Sequence, residues 1–263
     1  MTATHTDVFR VGGELPVRRI GLGTMQLTGP GHWSRPADPE EAKALLRRAV
    51  ELGVNHIDTA DAYGPHTAEN LIRKALHPYA DDLVIATKGG MTRHGPNQWA
   101  PLGRPEYLRQ CVGMSLRRLQ LEQIPLYYLH RVDPQVPLAD QLGVLADMRD
   151  EGKIRFIGVS KVTLTQFKQA REITPIAAVQ NRFNPYEGEI SVLNECTTSG
   201  TAFVPYSPLR QGRVLKSGWP APQALAYLLD LSPVTLPIPG TASIAHLEEN
   251  LSTSSSLGTG SCT

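Results

Sequence analysis

Four side chains of this 263-residue sequence could together deliver a proton to a carbonyl oxygen. Asp58, Lys88 and His130 each stand at the end of a short apolar run, and Tyr63 follows Asp58 in the same loop. A free phenol has a pKa of about 10, which a neighbouring ammonium is expected to lower, while a carboxylate keeps that ammonium charged and in position. The imidazole of His130 could donate a hydrogen bond to the same oxygen. None of the four supplies a hydride, so such a site requires a cofactor.

Each of these residues also has an ordinary explanation when it is considered alone. Asp58 alone is typical of a helix cap or turn, and Lys88 alone of a solvated charge. Tyr63 alone is typical of an amphipathic loop residue, and His130 alone of hydrogen-bonded packing. Their occurrence at three successive strand ends, with one loop tyrosine, favours a shared site. We interpret Asp61, in the same loop, as a turn residue.

The elements that must position these residues follow from eight short apolar runs. Runs of four to six residues with near-continuous apolarity are typical of parallel strands that are covered on both faces. They span Val17–Leu22, Val54–Ile57, Leu83–Ala86, Pro125–Leu129, Ile154–Val159, Ile176–Val179, Ala202–Pro205 and Val234–Ile238. Helical periodicity lies between them, in Pro39–Leu52, Pro105–Leu119, Leu138–Arg149, Thr163–Arg171, Glu189–Thr198, Gln223–Leu231 and Ile244–Leu251.

The alternation of strands and helices predicts an α/β fold, a single (β/α)8 TIM barrel over residues 1–251. A doubly wound sheet would carry a glycine fingerprint after its first strand, but Gln26 stands where the third glycine of that fingerprint would fall. An N-terminal β-hairpin over Val8–Val17 precedes the first barrel strand. Because chemistry in a barrel sits where strands end, the four proton-transfer residues are expected to converge on one mouth.

Two regions depart from a regular barrel. Ser207–Ser232 contains only one convincing helical stretch, which predicts a shortened seventh connection. Residues 252–263 are rich in Ser, Thr and Gly, so we expect a disordered tail where a C-terminal helix would otherwise stand.

Composition narrows the classes of partner. Lys and Arg total 26 against 25 Asp and Glu, and this near-balance argues against nucleic acid or an anionic membrane surface as the partner. No apolar run approaches the ~18 residues of a spanning helix, and no secretory signal is evident at the N-terminus. Three scattered cysteines predict neither a disulfide framework nor a metal site, which fits a cytoplasmic protein.

A series of motifs resembles the aldo-keto reductase family over about Val8–Asn250. The motifs are Gly21-Leu22-Gly23-Thr24, Asp58-Thr59-Ala60-Asp61-Ala62-Tyr63-Gly64, Thr87-Lys88, Tyr128-Leu129-His130, Gly158-Val159-Ser160, Gln180-Asn181, Tyr206-Ser207-Pro208-Leu209, Ile238-Pro239-Gly240 and Glu249-Asn250. The resemblance implies a (β/α)8 barrel that binds a nicotinamide dinucleotide, usually NADPH, and reduces an aldehyde or ketone to the alcohol. Within the family, the stretches Gly29-Pro30-Gly31, Asn55–Asp58 and Ile238–Thr241 look most like bacterial pyridoxal reductase-like members.

The resemblance also implies roles for individual residues. Asp58, Tyr63, Lys88 and His130 match the family tetrad, with Tyr63 as the general acid. The expected cofactor-binding residues are Gly23, Thr24, Ser160, Gln180, Tyr206, Ser207, Leu209, Gly212, Thr241, His246, Glu249 and Asn250. For the substrate, a small-molecule carbonyl such as pyridoxal, we expect contacts from Met25, Trp33 and Trp99.

Three positions depart from the family pattern. Lys161 stands where Asn is common, which removes one expected contact to the nicotinamide carboxamide. Gly240 and His246 stand where many members place Lys and Arg against the 2′-phosphate of NADP. Thr241 can still donate a hydrogen bond there, so we favour NADPH and retain NAD as possible.

Two other functions remain open from the sequence. Lys88 could form a Schiff base in an aldol reaction that needs no nucleotide. The irregular seventh connection and tail also fit a cofactor-binding protein that is weakly active or non-enzymatic. The sequence leaves open the physiological substrate, the direction of reaction and the oligomeric state.

Overall fold

The computed structural model describes residues 7–209, 212–216 and 218–252. Its strands are β1 (Val8–Val11), β2 (Leu15–Arg18), β3 (Leu22–Gly23), β4 (His56–Asp58), β5 (Val84–Gly89), β6 (Met91–Gly95), β7 (Gln98–Pro101), β8 (Ile124–Leu129), β9 (Ile154–Ser160), β10 (Ala178–Gln180) and β11 (Ala202–Phe203). Its helices are α1 (Pro39–Glu51), α2 (Thr67–Leu76), α3 (Pro105–Leu119), α4 (Leu138–Asp150), α5 (Leu164–Ile173), α6 (Ile190–Ser199), α7 (Arg213–Lys216), α8 (Ala221–Leu231) and α9 (Ile244–Leu251).

Seven parallel strands form the wall of the predicted barrel. They lie in chain order, β3-β4-β5-β8-β9-β10-β11, with helices between them. Each pair of neighbouring strands is joined by a helical crossover on the outer face, as a parallel sheet requires. The (β/α)8 prediction is therefore confirmed, and so are the predicted strand positions to within a few residues.

The eighth position of the barrel is taken by the extended residues 234–240. On one side, Leu236 N donates to Phe203 O and Ile238 N donates to Pro205 O. On the other side, the carbonyls of Pro237 and Pro239 accept from the backbone N–H groups of the first barrel strand region. Because proline has no N–H, this second ladder lacks half of its donors, which explains why the segment closes the barrel without forming a regular strand.

The predicted N-terminal hairpin is confirmed. β1 and β2 pair antiparallel, and Gly12 and Gly13 turn the chain with positive φ. An added Cβ at Gly12 would lie 2.3 Å from the ring of Phe156, near the amino end of β9. The side chains of Val11 and Val17 pack with the barrel interior. The hairpin therefore closes the end of the barrel where the strands begin, opposite their carboxyl ends.

Three of the described helices, α1, α5 and α9, begin at a residue whose side chain caps the first turn. Asp38 accepts from the N–H groups of Glu40 and Glu41 at the start of α1, and Thr163 forms a capping box with Gln166 at α5. The sequence analysis missed α2 and the β6–β7 hairpin. The predicted tail, and the predicted lack of a helix after residue 251, concern residues beyond 252, which lie outside the described part of the chain.

Candidate functional site

The centre of the site is a buried ion pair between β4 and β5. Lys88 Nζ lies 2.5 Å from Asp58 Oδ1 and also donates to Thr59 O at 2.7 Å. Asp58 Oδ2 accepts from Gln180 Nε2 at 2.7 Å. Two acceptors thus hold the amine of Lys88, and the residue is fully buried. Burial lowers the pKa of Lys88, and the charge of Asp58 opposes this shift. The contacts disfavour the Schiff-base alternative, because an amine bound to two acceptors is a poor nucleophile.

Tyr63 lies beside this pair, in the loop that follows β4. Lys88 Nζ is 5.2 Å from the centroid of the Tyr63 ring. The Tyr63 ring meets His130 edge to face, with 5.9 Å between ring centroids, and meets Trp99 in the same way at 6.4 Å. The structure therefore brings together all four residues of the predicted tetrad at the carboxyl ends of β4, β5 and β8.

The electrostatics of Tyr63 differ from the expectation. Burial, followed by the negative charge of Asp58, raises the pKa of Tyr63 well above its ordinary value. The expected lowering of the Tyr63 pKa by Lys88 is outweighed, because burial and the nearby negative charge of Asp58 both disfavour the phenolate. The consequence is a phenol that stays protonated at neutral pH and is available as a proton donor.

His130 is neutral at the pH of the cell. Burial, followed by the positive charges of Lys88 and Lys161, lowers the pKa of His130 well below its ordinary value. Its Nδ1 is buried without a hydrogen-bond partner among the described residues. A neutral imidazole in this position can donate one N–H to a carbonyl oxygen without carrying a charge into the site.

A cavity of about 950 Å³ runs from this tetrad along the strand ends to α9. Asp58, Tyr63 and His130 line its inner part. All of the predicted cofactor-binding residues line the cavity as well, namely Gly23, Thr24, Ser160, Gln180, Tyr206, Ser207, Leu209, Gly212, Thr241, His246, Glu249 and Asn250. The barrel mouth thus gathers residues that lie more than 200 positions apart in the chain.

The donors on the cavity wall fit a nicotinamide dinucleotide. Ser160 and Gln180 are both buried and present a hydroxyl and an amide next to Asp58, where a carboxamide can be bound. The ring of Tyr206 is partly buried beside them and offers a flat face for a second ring. Thr24 contributes differently, because its hydroxyl donates to Asp58 O at 3.0 Å and ties β3 to β4.

The predicted substrate residues divide into two groups. Met25 and Trp99 line the cavity near Tyr63, as expected. Trp33 is not among the lining residues and instead packs against the guanidinium of Arg93, 5.4 Å from its ring centroid. The ring of Trp33 is thus held by Arg93 of the β6–β7 hairpin, and its contact with a substrate stays a prediction.

Arg93 is a structural residue that the sequence analysis missed. Its guanidinium lies 3.6 Å from the centroid of the Trp99 ring and donates to the carbonyls of Gly31, His32 and Ala62. These bonds fasten the loop that carries Tyr63 to the hairpin that carries Trp99. The turn residues Gly95, Pro96 and Asn97 were the signal that could have revealed this hairpin.

Asp61 lies in a turn, as predicted, but its side chain is buried behind the Tyr63 loop. Burial, followed by the negative charge of Glu69, raises the pKa of Asp61 to about 7. Its Oδ1 has no hydrogen-bond partner within the described part of the chain. Glu69, by contrast, accepts hydrogen bonds from Arg118 and Thr87. The two neighbouring carboxyl groups therefore differ in the number of donors that they contact.

Comparison with known proteins adds to this geometry. A model of the Aldo/keto reductase family matches residues 19–219. An uncharacterized oxidoreductase of Schizosaccharomyces pombe is 46% identical over 262 residues, which cover 95% of this chain and 85% of that protein. Pyridoxine 4-dehydrogenase of Escherichia coli is 40% identical over 264 residues, which cover 94% of this chain and 92% of that protein.

Solved structures give the same architecture. A glycerol dehydrogenase of Gluconobacter oxydans superimposes with a TM-score of 0.84 at 23% identity, over 94% of this chain and 90% of that chain, a likeness that concerns the fold alone. An aldo-keto reductase of Klebsiella pneumoniae in complex with NADPH superimposes with a TM-score of 0.79 at 25% identity, over 94% and 89% of the two chains. Among the described residues, no helix is long and apolar enough to span a membrane, and no cluster of potential metal ligands is found.

Proposed function

Because this chain belongs to the aldo/keto reductase family of oxidoreductases acting on carbonyl and alcohol groups, we propose that it reduces an aldehyde or ketone with NADPH. The observation that carries the proposal is the meeting of Tyr63, Lys88 and His130 at one end of the cavity. The residues that line the cavity from Ser160 to α9 would hold the dinucleotide, which would supply the hydride when bound.

The chain's own residues perform the proton transfer. Tyr63 is the general acid, since burial keeps its phenol protonated until a carbonyl oxygen develops negative charge beside it. His130 donates a hydrogen bond to the same oxygen and orients the carbonyl. Lys88, held charged by Asp58, stabilises the phenolate that remains after Tyr63 has given up its proton. General acid catalysis of this kind contributes roughly 10²–10⁴-fold to the rate.

For the substrate we propose a cyclic or aromatic carbonyl compound of the pyridoxal type. The rings of Tyr63, Trp99 and His130 meet edge to face with centroids about 6 Å apart, which leaves an aromatic wall beside the reacting oxygen. The 40% identical relative from Escherichia coli is a pyridoxine 4-dehydrogenase, which supports the same class. The cytoplasm, with its supply of NADPH, is the proposed location.

The test is NADPH oxidation with pyridoxal and a panel of aldehydes, in wild type and in Tyr63→Phe. We expect the variant to lose at least a hundredfold in kcat while its Kd for NADPH changes little, because the phenol acts on the carbonyl. Tyr227→Phe is the matched control, since Tyr227 is an exposed tyrosine on α8. Retained turnover in Tyr63→Phe would remove the assigned acid. Tight NADPH binding with no turnover of any carbonyl would favour the non-enzymatic alternative.

A further inference from the structure

Two cationic side chains line the cavity just beyond the layer of His130. β8 and β9 are paired neighbours, and Arg131 and Lys161 follow the carboxyl ends of these two strands. The positive charges of both residues act on His130, and the charge of Arg131 acts on Lys161. The two cations therefore lie near each other and near the imidazole that faces the substrate carbonyl, on the wall of the same cavity.

No ion pair of Arg131 or Lys161 is found among the described residues. Neither has a carboxylate within 4 Å in the part of the chain that the structure describes, whereas Arg182, which also lines the cavity, lies 3.4 Å from Glu187. The ammonium of Lys161 instead lies 5.6 Å from the centroid of the Tyr206 ring. A cation over an aromatic face is attracted only weakly and stays available to an anion.

The surrounding charges leave this end of the cavity positive. Burial and then the charges of Arg131, Lys88 and Arg182 lower the pKa of Lys161 to about 8. Of the described lining residues only Asp58 and Glu249 are acidic, and Asp58 is already paired with Lys88. Both residues remain exposed to solvent, which screens the repulsion between them, and an anion that enters the cavity at this end meets both positive charges.

We propose that Arg131 and Lys161 form an anion-binding subsite for the substrate, so that preferred substrates are carbonyl compounds bearing a carboxylate or similar compact anion. The inference rests on the proposed function, because it takes Tyr63 and His130 as the place of the carbonyl group. The guanidinium of Arg131 can hold a carboxylate through two N–H groups, and Lys161 adds a point charge from the neighbouring strand.

The experiment compares 4-carboxybenzaldehyde with its methyl ester, methyl 4-formylbenzoate, as a charged and a neutral aldehyde of the same shape. The ratio of kcat/KM for the acid over the ester is measured in wild type, Lys161→Gln and Arg131→Gln. Lys153→Gln is the matched control, because Lys153 precedes the amino end of the same strand β9 and pairs with Glu151. We expect each cavity variant to lower the ratio roughly tenfold, as a lost charged hydrogen bond does, and the control to leave it unchanged.

Two binding measurements distinguish a failure of the subsite proposal from a failure of the proposed function. The Kd for NADPH and the Kd for 4-carboxybenzaldehyde are both measured by quenching of Trp fluorescence, which needs no turnover. An unchanged ratio together with weaker NADPH binding in the variants would overturn the proposal, since the cations would then serve the phosphates of the cofactor. Binding of the acid that depends on Lys161, without turnover of either aldehyde, would support the subsite and refute the proposed function instead.

Discussion

Removal of either member of the buried Asp58–Lys88 pair is expected to destabilise the protein, and removal of both is expected to cost clearly less than the two single losses added together. The two side chains are at most 2% exposed and lie 2.5 Å apart. At an effective dielectric constant of ~20, Coulomb's law gives an attraction of about 7 kcal/mol at this distance, which the desolvation of both ions largely offsets. Lys88→Met leaves the carboxylate of Asp58 buried with Gln180 as a remaining donor, and we expect a loss of about 3–5 kcal/mol in the free energy of unfolding.

The assay is a double-mutant cycle followed by urea unfolding at pH 7. Wild type, Lys88→Met, Asp58→Asn and the double variant are compared, and the double variant carries no unpaired buried charge. We therefore expect it to be more stable than the sum of the two single losses predicts, by about 2 kcal/mol or more. Losses that add to within ~0.5 kcal/mol would refute the reasoning, because they would show that neither charge depends on the other.

Two more predictions concern the buried residues around the Tyr63 loop. Because the pKa of Asp61 is raised to about 7, the folded state binds more protons than the unfolded state between pH ~4 and ~7. The free energy of unfolding of the wild type therefore falls as the pH rises through this range, by at most about 4 kcal/mol. Urea unfolding at several pH values is expected to show a flatter profile for Asp61→Asn, and parallel profiles would contradict the assignment. In Gly89→Ala, the new Cβ would lie 2.0 Å from the hydroxyl of Tyr127, and we expect this clash to lower the free energy of unfolding by about 1–3 kcal/mol. Thermal unfolding of Gly89→Ala combined with Tyr127→Phe is expected to show partial rescue. No rescue would count against this clash.

Much of the fold could be predicted because strands and helices of a parallel barrel carry strong local signals. The run Ile154–Val159 is apolar except for Arg155 and corresponds to β9. Pro105–Leu119 starts with a proline, has apolar residues at helical spacing and corresponds to α3. α2 was missed because its N-cap, His66, is a left-handed residue without a side-chain cap bond. The start of this helix is set by the turn of the Tyr63 loop, which local propensity does not reveal.

The site was predictable to the extent that strand ends determine it. Asp58, Lys88 and His130 stand at the carboxyl ends of their strands, where a barrel must bring them together. The position of Trp33 could not be predicted, because it depends on Arg93, 60 positions away in the sequence. The pKa of Tyr63 could not be predicted either, since desolvation depends on the packing of the whole loop and not on the nearest charge.

The proline-containing segment that closes the barrel is a seam between the first and last strands, and it also forms one wall of the cofactor cleft. Gly23 lies on one side of this seam, Pro239 and Gly240 form it, and Tyr206 lies on the other side, and all of them border the cleft. A ligand that contacts both sides of this seam adds contacts at the place where the barrel strands share few backbone hydrogen bonds. By mass action, a hundredfold excess of ligand over its Kd adds about 2.7 kcal/mol to the folded state. Binding of the proposed nucleotide in this cleft would therefore raise the free energy of unfolding of the whole barrel.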